Sequence, residues 1–203
     1  MVQKTVKLLL IKIVPIFLGT MALWQFGGVS KLYHACLVIP LNALTSVLDP
    51  SGLIQGATSN GDQILFQILY QGKRVWLDMT AKDITSNSAL LWTLFLASPI
   101  RPLSKLYFTS FASALLILFG LHVVTVAAAV QHGLLTSTRI ITPLQDRPVL
   151  SSFLVNYRNF YIEYGMYLFV IALWCPYIIA YLSREGRAGH MGTESKSTGI
   201  RPI

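Results

Sequence analysis

Apolar residues concentrate in four long segments that are separated by stretches of mixed polarity. The four segments are residues 8–28, 84–100, 106–130 and 164–182. A helix needs about 20 consecutive, mostly apolar residues to cross the hydrocarbon core of a bilayer. The pattern therefore predicts a mainly α protein, an integral membrane four-helix bundle, with residues 1–183 forming a single membrane domain. Four crossings would place both termini on the same side of the membrane.

The stretch between the first two segments, residues 29–83, predicts a small extracytoplasmic cap. Residues 30–48 are largely apolar, but His34 and Pro40 interrupt them. A helix with one apolar face and a few polar positions is typical of a segment that lies along the membrane interface. We therefore expect an amphipathic helix as the first part of the cap.

The second part of the cap has the pattern of a β-hairpin. Residues 63–71 and 74–80 flank the dipeptide Gly72-Lys73, a two-residue loop of the Gly-X type. Apolar and polar residues alternate in the second of these strands, which is the period of a half-buried strand. Trp76 falls on its more polar face, so we consider Trp76 an interaction candidate.

Aromatic residues cluster in the last part of the predicted outer loop, residues 131–163, and run into the fourth segment. Tyr157, Tyr161 and Tyr164 recur at helical spacing. One interpretation is an aromatic belt at the headgroup level, where tyrosine is enriched. The other is a platform that stacks on a sugar or a lipid headgroup. Residues 184–203 are polar and rich in glycine, which predicts a disordered cytoplasmic tail.

Composition and charge exclude several classes of protein. The hydrophobic set makes up 54% of the chain and charged residues only 12%, against about 25% charged in soluble domains. The net charge of +8 is spread among the apolar segments instead of forming one basic face, which argues against nucleic acid as a partner. The side of the membrane that holds the N-terminus carries more Lys and Arg than the other side. The positive-inside rule therefore predicts that both termini are cytoplasmic. We expect a multi-pass protein of the bacterial inner membrane.

Few residues offer chemistry. The sequence has no phosphate-binding glycine loop, no H-E-x-x-H and no G-x-S-x-G, and we predict no cofactor and no metal. His122 lies well inside the third segment, where an unpaired polar group is costly. His122 is expected to hydrogen-bond a neighbouring helix; the alternatives are a role in binding a cofactor or transferring protons, and a role in catalysis. Cys36 is either a packed thiol or a weak candidate nucleophile.

The second segment opens with a polar run, DITSNS, that includes Asn87. These side chains are expected to cap a helix, and the alternative is that they face a substrate cleft. Asn87 and His122 are also candidates for interaction between helices. An enzyme would require His122, Asn87 and either Glu163 or Cys36 to converge on one cavity.

The layout of the chain resembles the exosortase and archaeosortase superfamily, in particular the membrane proteins associated with exosortase H. The resemblance rests on an N-terminal span, an outer strand-bearing segment and the run DITSNSALLWTLFLASPIRPLSKLYFTSFASALLILFGL. In catalytic members a Cys opens the equivalent short span, an Arg closes the next, and a His stands near the start of a later one. This chain has Asn87 but no Cys in the first region, and it has neither the Arg nor the His in the other two. The resemblance therefore implies a non-catalytic companion of a membrane sorting enzyme.

Two other functions fit the same sequence. The chain is either an accessory interaction protein as above, or a structural subunit of a larger energy-converting or transport complex, or a membrane enzyme that uses Cys36 or His122. The first two predict membrane protein partners as well as the lipid bilayer. Only the third predicts a convergent polar pocket.

Overall fold

Helices account for most of the chain, and one small antiparallel sheet interrupts them. The computed structural model describes residues 2–49, 52–98, 105–136 and 148–197. The elements are, in chain order, α1 (Val2–Phe26), α2 (Val29–Leu48), β1 (Ile54–Asn60), β2 (Gln63–Tyr70), β3 (Lys73–Thr80), α3 (Ala81–Thr85), α4 (Asn87–Ala97), α5 (Lys105–Thr136), α6 (Pro148–Phe160), a π-helical turn (Tyr161–Gly165) and α7 (Met166–Ser197). The prediction of a mainly helical protein is confirmed.

Three stretches of helix are long and apolar enough to cross a membrane. They are Lys7–Phe26, Lys105–Leu134 and Ser152–Arg184. They overlap the first, third and fourth apolar segments of the sequence, and the last begins at Ser152, twelve residues before the predicted start. Large apolar side chains such as Leu18 on α1 and Leu116 on α5 are exposed on their surfaces. A continuous exposed apolar surface of this kind is what a bilayer covers.

The second apolar segment does not form one long helix. Ser86 separates the short α3 from α4, and α4 has 11 residues. At 1.5 Å per residue, α4 is about 16 Å long, roughly half the thickness of the hydrocarbon core. Thr85, Asn87 and Ser88 at this break are buried. The expectation that the polar run caps a helix is wrong, because neither Thr80 nor Ser86 makes a side-chain capping hydrogen bond.

Helix α4 is nevertheless packed deep among the long helices. The ring of Phe95 lies 5.8 Å from that of Tyr107 on α5 and 5.7 Å from that of Tyr177 on α7. On the other side, the hydroxyls of Thr93 and of Thr20 on α1 are 2.6 Å apart. Aromatic contacts and a buried hydroxyl pair therefore connect α4 to three different helices.

The sheet has three strands in the order β1-β2-β3, so it is more than the predicted hairpin. The turn between β2 and β3 is Gln71-Gly72, one residue earlier than predicted, with positive φ values of 49° and 73°. Two left-handed residues match the twist of a two-residue hairpin. Strand β1 escaped prediction because its sequence, IQGATSN, has a single large apolar residue.

A side chain from α2 holds the outer edge of β1. The Asn42 amide donates to the Ala57 carbonyl at 3.2 Å, and the Ala57 N–H donates to the Asn42 side-chain oxygen at 2.6 Å. One amide thus pairs with both backbone groups of Ala57, as a neighbouring strand would. This local pairing explains how a weakly apolar segment becomes a strand.

The sheet packs its inner face on α2 and on the C-terminal half of α5. Ile64, Phe66 and Ile68 of β2 are fully or almost fully buried against Leu37 of α2 and Val126 of α5. The sheet and α2 together form the predicted cap, here called the cap and defined as residues 29–49 and 52–80. Helix α5 therefore belongs to the core of the long helices in its first half and to the core of the cap in its second.

Two predicted irregular regions are largely helical. The outer loop 131–163 is occupied by the end of α5, by α6 and by part of the π-helical turn, while residues 137–147 lie outside the described residues. The tail 184–203 was expected to be disordered, but α7 continues to Ser197. Backbone hydrogen bonds continued from an established helix outweigh the glycine-rich composition there.

Candidate functional site

A buried polar cluster lies where the cap meets the long helices. It consists of Tyr33 of α2, Asn87 of α4, His122 of α5 and Tyr161 of the π-helical turn, here called the polar centre. His122 and Tyr161 are 0% exposed and Asn87 is 3% exposed. Four separate elements thus contribute one polar side chain each to a single interior position.

Both ring nitrogens of His122 are hydrogen-bonded. Nδ1 is 2.6 Å from the Tyr33 hydroxyl, and Nε2 is 2.8 Å from the side-chain oxygen of Asn87. Because an amide oxygen only accepts, Nε2 carries the proton, and the Tyr33 hydroxyl donates to Nδ1. A neutral imidazole satisfies every one of these contacts, and a charged one would be costly in this dry interior.

Asn87 connects the cluster to the last span. Its side-chain N–H₂ donates to the Tyr161 hydroxyl at 3.1 Å and to the Met166 carbonyl at 3.0 Å. The π-helical turn between these two residues inserts one extra residue into the helix, an irregularity often found at functional sites. The Asn87 amide therefore uses its oxygen and both hydrogens, and each bond reaches a different residue.

A second buried histidine joins the cap to α3. The Nδ1 of His34 donates to the Gly61 carbonyl at 3.0 Å, and its Nε2 is 2.8 Å from the Thr85 hydroxyl. Burial lowers the pKa of His34 below the usual range for histidine, although the Gly61 carbonyl and the Asp62 carboxylate act in the opposite direction. The neutral ring with its proton on Nδ1 fits both contacts.

The candidate catalytic residues do not assemble. His122 and Asn87 meet, as an enzyme would require, but Cys36 is exposed on α2 and Glu163 is exposed on the π-helical turn. Cys36 lies two positions after His34, and residues two apart on a helix face different ways. Accordingly His34 is fully buried while the thiol of Cys36 is exposed.

The remaining interaction candidates lie in different surroundings. Trp76 is 52% exposed on β3 and Tyr164 is 60% exposed. Tyr157 is half-buried, with its hydroxyl 3.2 Å from that of Thr125. Tyr161 is fully buried in the polar centre, so the aromatic residues with helical spacing divide between an outward surface and the interior.

An open cavity of about 450 Å³ lies beside the polar centre. Ile84 and Met166, neighbours of the polar centre, line its inner side, but none of the four side chains of the polar centre does. Its charged lining residues are Asp78, Asp83 and Arg158. The cavity and the polar centre are therefore adjacent but separate.

The sequence did not predict that Tyr33 joins His122, or that His34 and Thr85 contact each other. A signal was present, because His34 interrupts an apolar segment and Thr85 belongs to the polar run before α4. Periodicity identifies such positions as exceptions to an apolar face, but it does not say which exceptions meet.

Among the described residues, no group of three or more His, Cys, Asp or Glu side chains is placed to hold a metal ion. No family model matches the chain, and no curated protein and no solved structure shows significant similarity to it.

Proposed function

We propose that this chain is a non-catalytic accessory protein of the bacterial inner membrane that binds another membrane protein. One observation carries the proposal: in the polar centre, His122 is sealed from solvent and hydrogen-bonded at both nitrogens by Tyr33 and Asn87. An imidazole in this state has no free nitrogen with which to take a proton from a substrate. The arrangement suits a connection between helices better than a catalytic site.

The resemblance to the exosortase superfamily supports a companion of a membrane sorting enzyme. Catalytic members carry their Cys, Arg and His in three separate segments. In this chain the corresponding segments contribute Asn87, His122 and Tyr161, which meet in the polar centre. An amide, an imidazole and a phenol lack the thiolate that such a transpeptidase needs as its nucleophile. The proposal is thus a related helical scaffold in which structural hydrogen bonds replace the reactive groups.

The proposed topology is four crossings, with the cap outside and both termini in the cytoplasm. The C-terminal half of α5 packs against the cap, and α3 and α4 begin at the cap. If α5 crosses the membrane, the chain must first return from the cap side, and we assign that return to the part of the chain that contains α4. Lys7 and Lys105 then lie at cytoplasmic ends of spans, where the positive-inside rule favours them.

A groove between α5 and α7 is the proposed contact with a transmembrane helix of the partner. It has a volume of about 310 Å³ and is lined by Ser110, Ser113, Ala114, Pro176 and Tyr177, among other residues. Small side chains let helix backbones approach closely, which is the usual basis of helix association in lipid. The groove lies within the stretches of α5 and α7 that are apolar enough to span the membrane.

The test is co-purification of the tagged full chain from its native membrane in mild detergent, compared across matched variants. Ser113→Leu fills the groove from an exposed position, and Ala112→Leu makes a similar change at an exposed neighbour that does not line it. We expect wild type and Ala112→Leu to retain one stoichiometric membrane partner, identified by mass spectrometry, and Ser113→Leu to lose it.

Other outcomes separate the alternatives. If the retained partner is an exosortase-type enzyme, the companion role is supported. If the chain instead retains a set of respiratory or transport subunits in a fixed ratio, it is a structural subunit. If the chain purifies alone and has an enzymatic activity that Cys36→Ala or His122→Gln abolishes, the proposal is wrong and the protein is a membrane enzyme.

A further inference from the structure

The 450 Å³ cavity beside the polar centre lies at the level of one membrane surface. Its lining includes His132, near the end of the α5 span at Leu134, and Arg158, about 9 Å along the helix from the start of the last span at Ser152. The α5 span has 30 residues and is about 45 Å long, so its ends project beyond a hydrocarbon core of about 30 Å. Two span ends thus place the cavity among the headgroups.

The lining of the cavity carries both signs of charge together with apolar residues. Arg158 is half-buried on α6, while Asp78 of β3 and Asp83 of α3 are exposed. Leu77 and Ile162 are among the apolar residues that complete the lining. A ligand that matches this surface needs an anionic group, a cationic group and an apolar portion.

The charged groups of the cavity do not neutralise one another. Within the described ranges, neither carboxylate is in an ion pair, and Arg158 is in none either. The guanidinium Nη1 donates to Asn159 at 3.0 Å, while its Nε is screened from solvent and makes no hydrogen bond to any described residue. Arg158 therefore brings a positive charge to the cavity, and a guanidinium is a strong partner for a phosphate oxygen.

We propose that this cavity binds the headgroup of a zwitterionic phospholipid that ends in a primary ammonium, with its phosphate on Arg158 and its ammonium on Asp83 and Asp78. Two features select this headgroup. The carboxylates disfavour a purely anionic lipid. None of the described lining residues is Phe, Tyr or Trp, the side chains that recognise a quaternary ammonium, whereas a primary ammonium hydrogen-bonds carboxylates directly.

The proposal is tested on the purified full chain without any partner. The result is therefore independent of the proposed accessory function. Delipidated protein is titrated with dioleoyl phosphatidylethanolamine, phosphatidylcholine or phosphatidylglycerol, and bound lipid is measured by native mass spectrometry. We expect wild type to bind phosphatidylethanolamine most tightly. Arg158→Gln should weaken that binding about tenfold or more, because a charge-assisted hydrogen bond is lost.

The second arm tests the carboxylate. Asp83→Asn should weaken phosphatidylethanolamine binding while leaving phosphatidylglycerol binding equal or stronger. Arg74→Gln and Glu163→Gln make the same charge changes at exposed positions outside the cavity and should have no effect. If Arg158→Gln fails to fold, Ala129→Leu narrows the cavity without changing charge and should also release the lipid.

Three results would overturn the proposal. The first is equal affinity for the three lipids, and the second is a preference for phosphatidylglycerol that Asp83→Asn does not change. The third is that the wild-type protein retains a peptide instead of a phospholipid and that Arg158→Gln loses this peptide. That result would mean that the cavity and the open edge of β3 bind an extended protein segment.

Discussion

Replacing Asn87 by leucine should destabilise the protein much more than its size change suggests. The substitution roughly conserves volume but removes three hydrogen bonds, to His122 at 2.8 Å, to Tyr161 at 3.1 Å and to the Met166 carbonyl at 3.0 Å. Hydrogen bonds between membrane helices average about 0.6 kcal/mol each, which gives about 2 kcal/mol for three. The Nε2–H of His122, left buried without an acceptor, adds about 1 kcal/mol or more. We expect a loss of about 3 kcal/mol in the free energy of unfolding.

A double-mutant cycle separates pairing from packing. His122→Leu alone leaves the Asn87 oxygen and the Tyr33 hydroxyl without their partner, whereas the double variant removes both members of the Asn87–His122 pair. Removing both partners of a buried hydrogen bond costs less than the two single removals added together. The coupling energy should therefore be about 1–2 kcal/mol, within the range for residues in contact.

The assay is reversible unfolding in mild detergent, followed by circular dichroism or by steric trapping, for wild type, both single variants and the double variant. Tyr164→Phe removes a hydroxyl from a side chain that is 60% exposed and serves as the control, with an expected change within about 0.5 kcal/mol. Additive effects of Asn87→Leu and His122→Leu would refute the hydrogen-bonded polar centre. So would an Asn87→Leu variant as stable as the control.

Three further predictions concern the cap and the topology. Burial lowers the pKa of His34, so near this pKa the unfolded chain binds more protons than the folded one. The stability of the protein should therefore fall as the pH drops below about 6.5, the ordinary pKa of histidine. His34→Gln should reduce this pH dependence, measured by thermal melts at pH 7.5 and 5.5. Gly72→Ala forces a side chain into a left-handed turn with φ +73° and should cost about 1 kcal/mol in the same melts, whereas Gly19→Ala, in a helix with open space around it, should be neutral or stabilising. In a cysteine-free background, Lys73→Cys should react with a membrane-impermeant maleimide in intact spheroplasts and Lys105→Cys only after lysis; the reverse pattern would invert the proposed topology.

The sequence was most informative where one regular pattern dominates. The first and third apolar helices and the strands β2 and β3 follow from period and length, and the structure has them within a few residues of the predicted bounds. The last apolar stretch begins at Ser152, twelve residues before its predicted start. The sequence did not predict strand β1, because this strand depends on its pairing with β2 and with Asn42 of α2. The helix at α4 was predicted too long, because no glycine or proline marks the break at Ser86. Local propensity is weak where contacts distant in sequence decide the conformation.

The sequence by itself determined that this is an apolar, mainly helical chain with a small strand-bearing segment, and it identified His122 and Asn87 as polar residues that need partners. Only the tertiary structure decided that they are each other's partners, that Tyr33 and Tyr161 complete the polar centre, and that Arg158, Asp78 and Asp83 line one cavity. The apolar periodicity of a helix is a property of its own residues, so the sequence of that helix predicts which of its positions are buried. A hydrogen bond or a charged cavity depends on how separate helices are placed, which no single segment encodes.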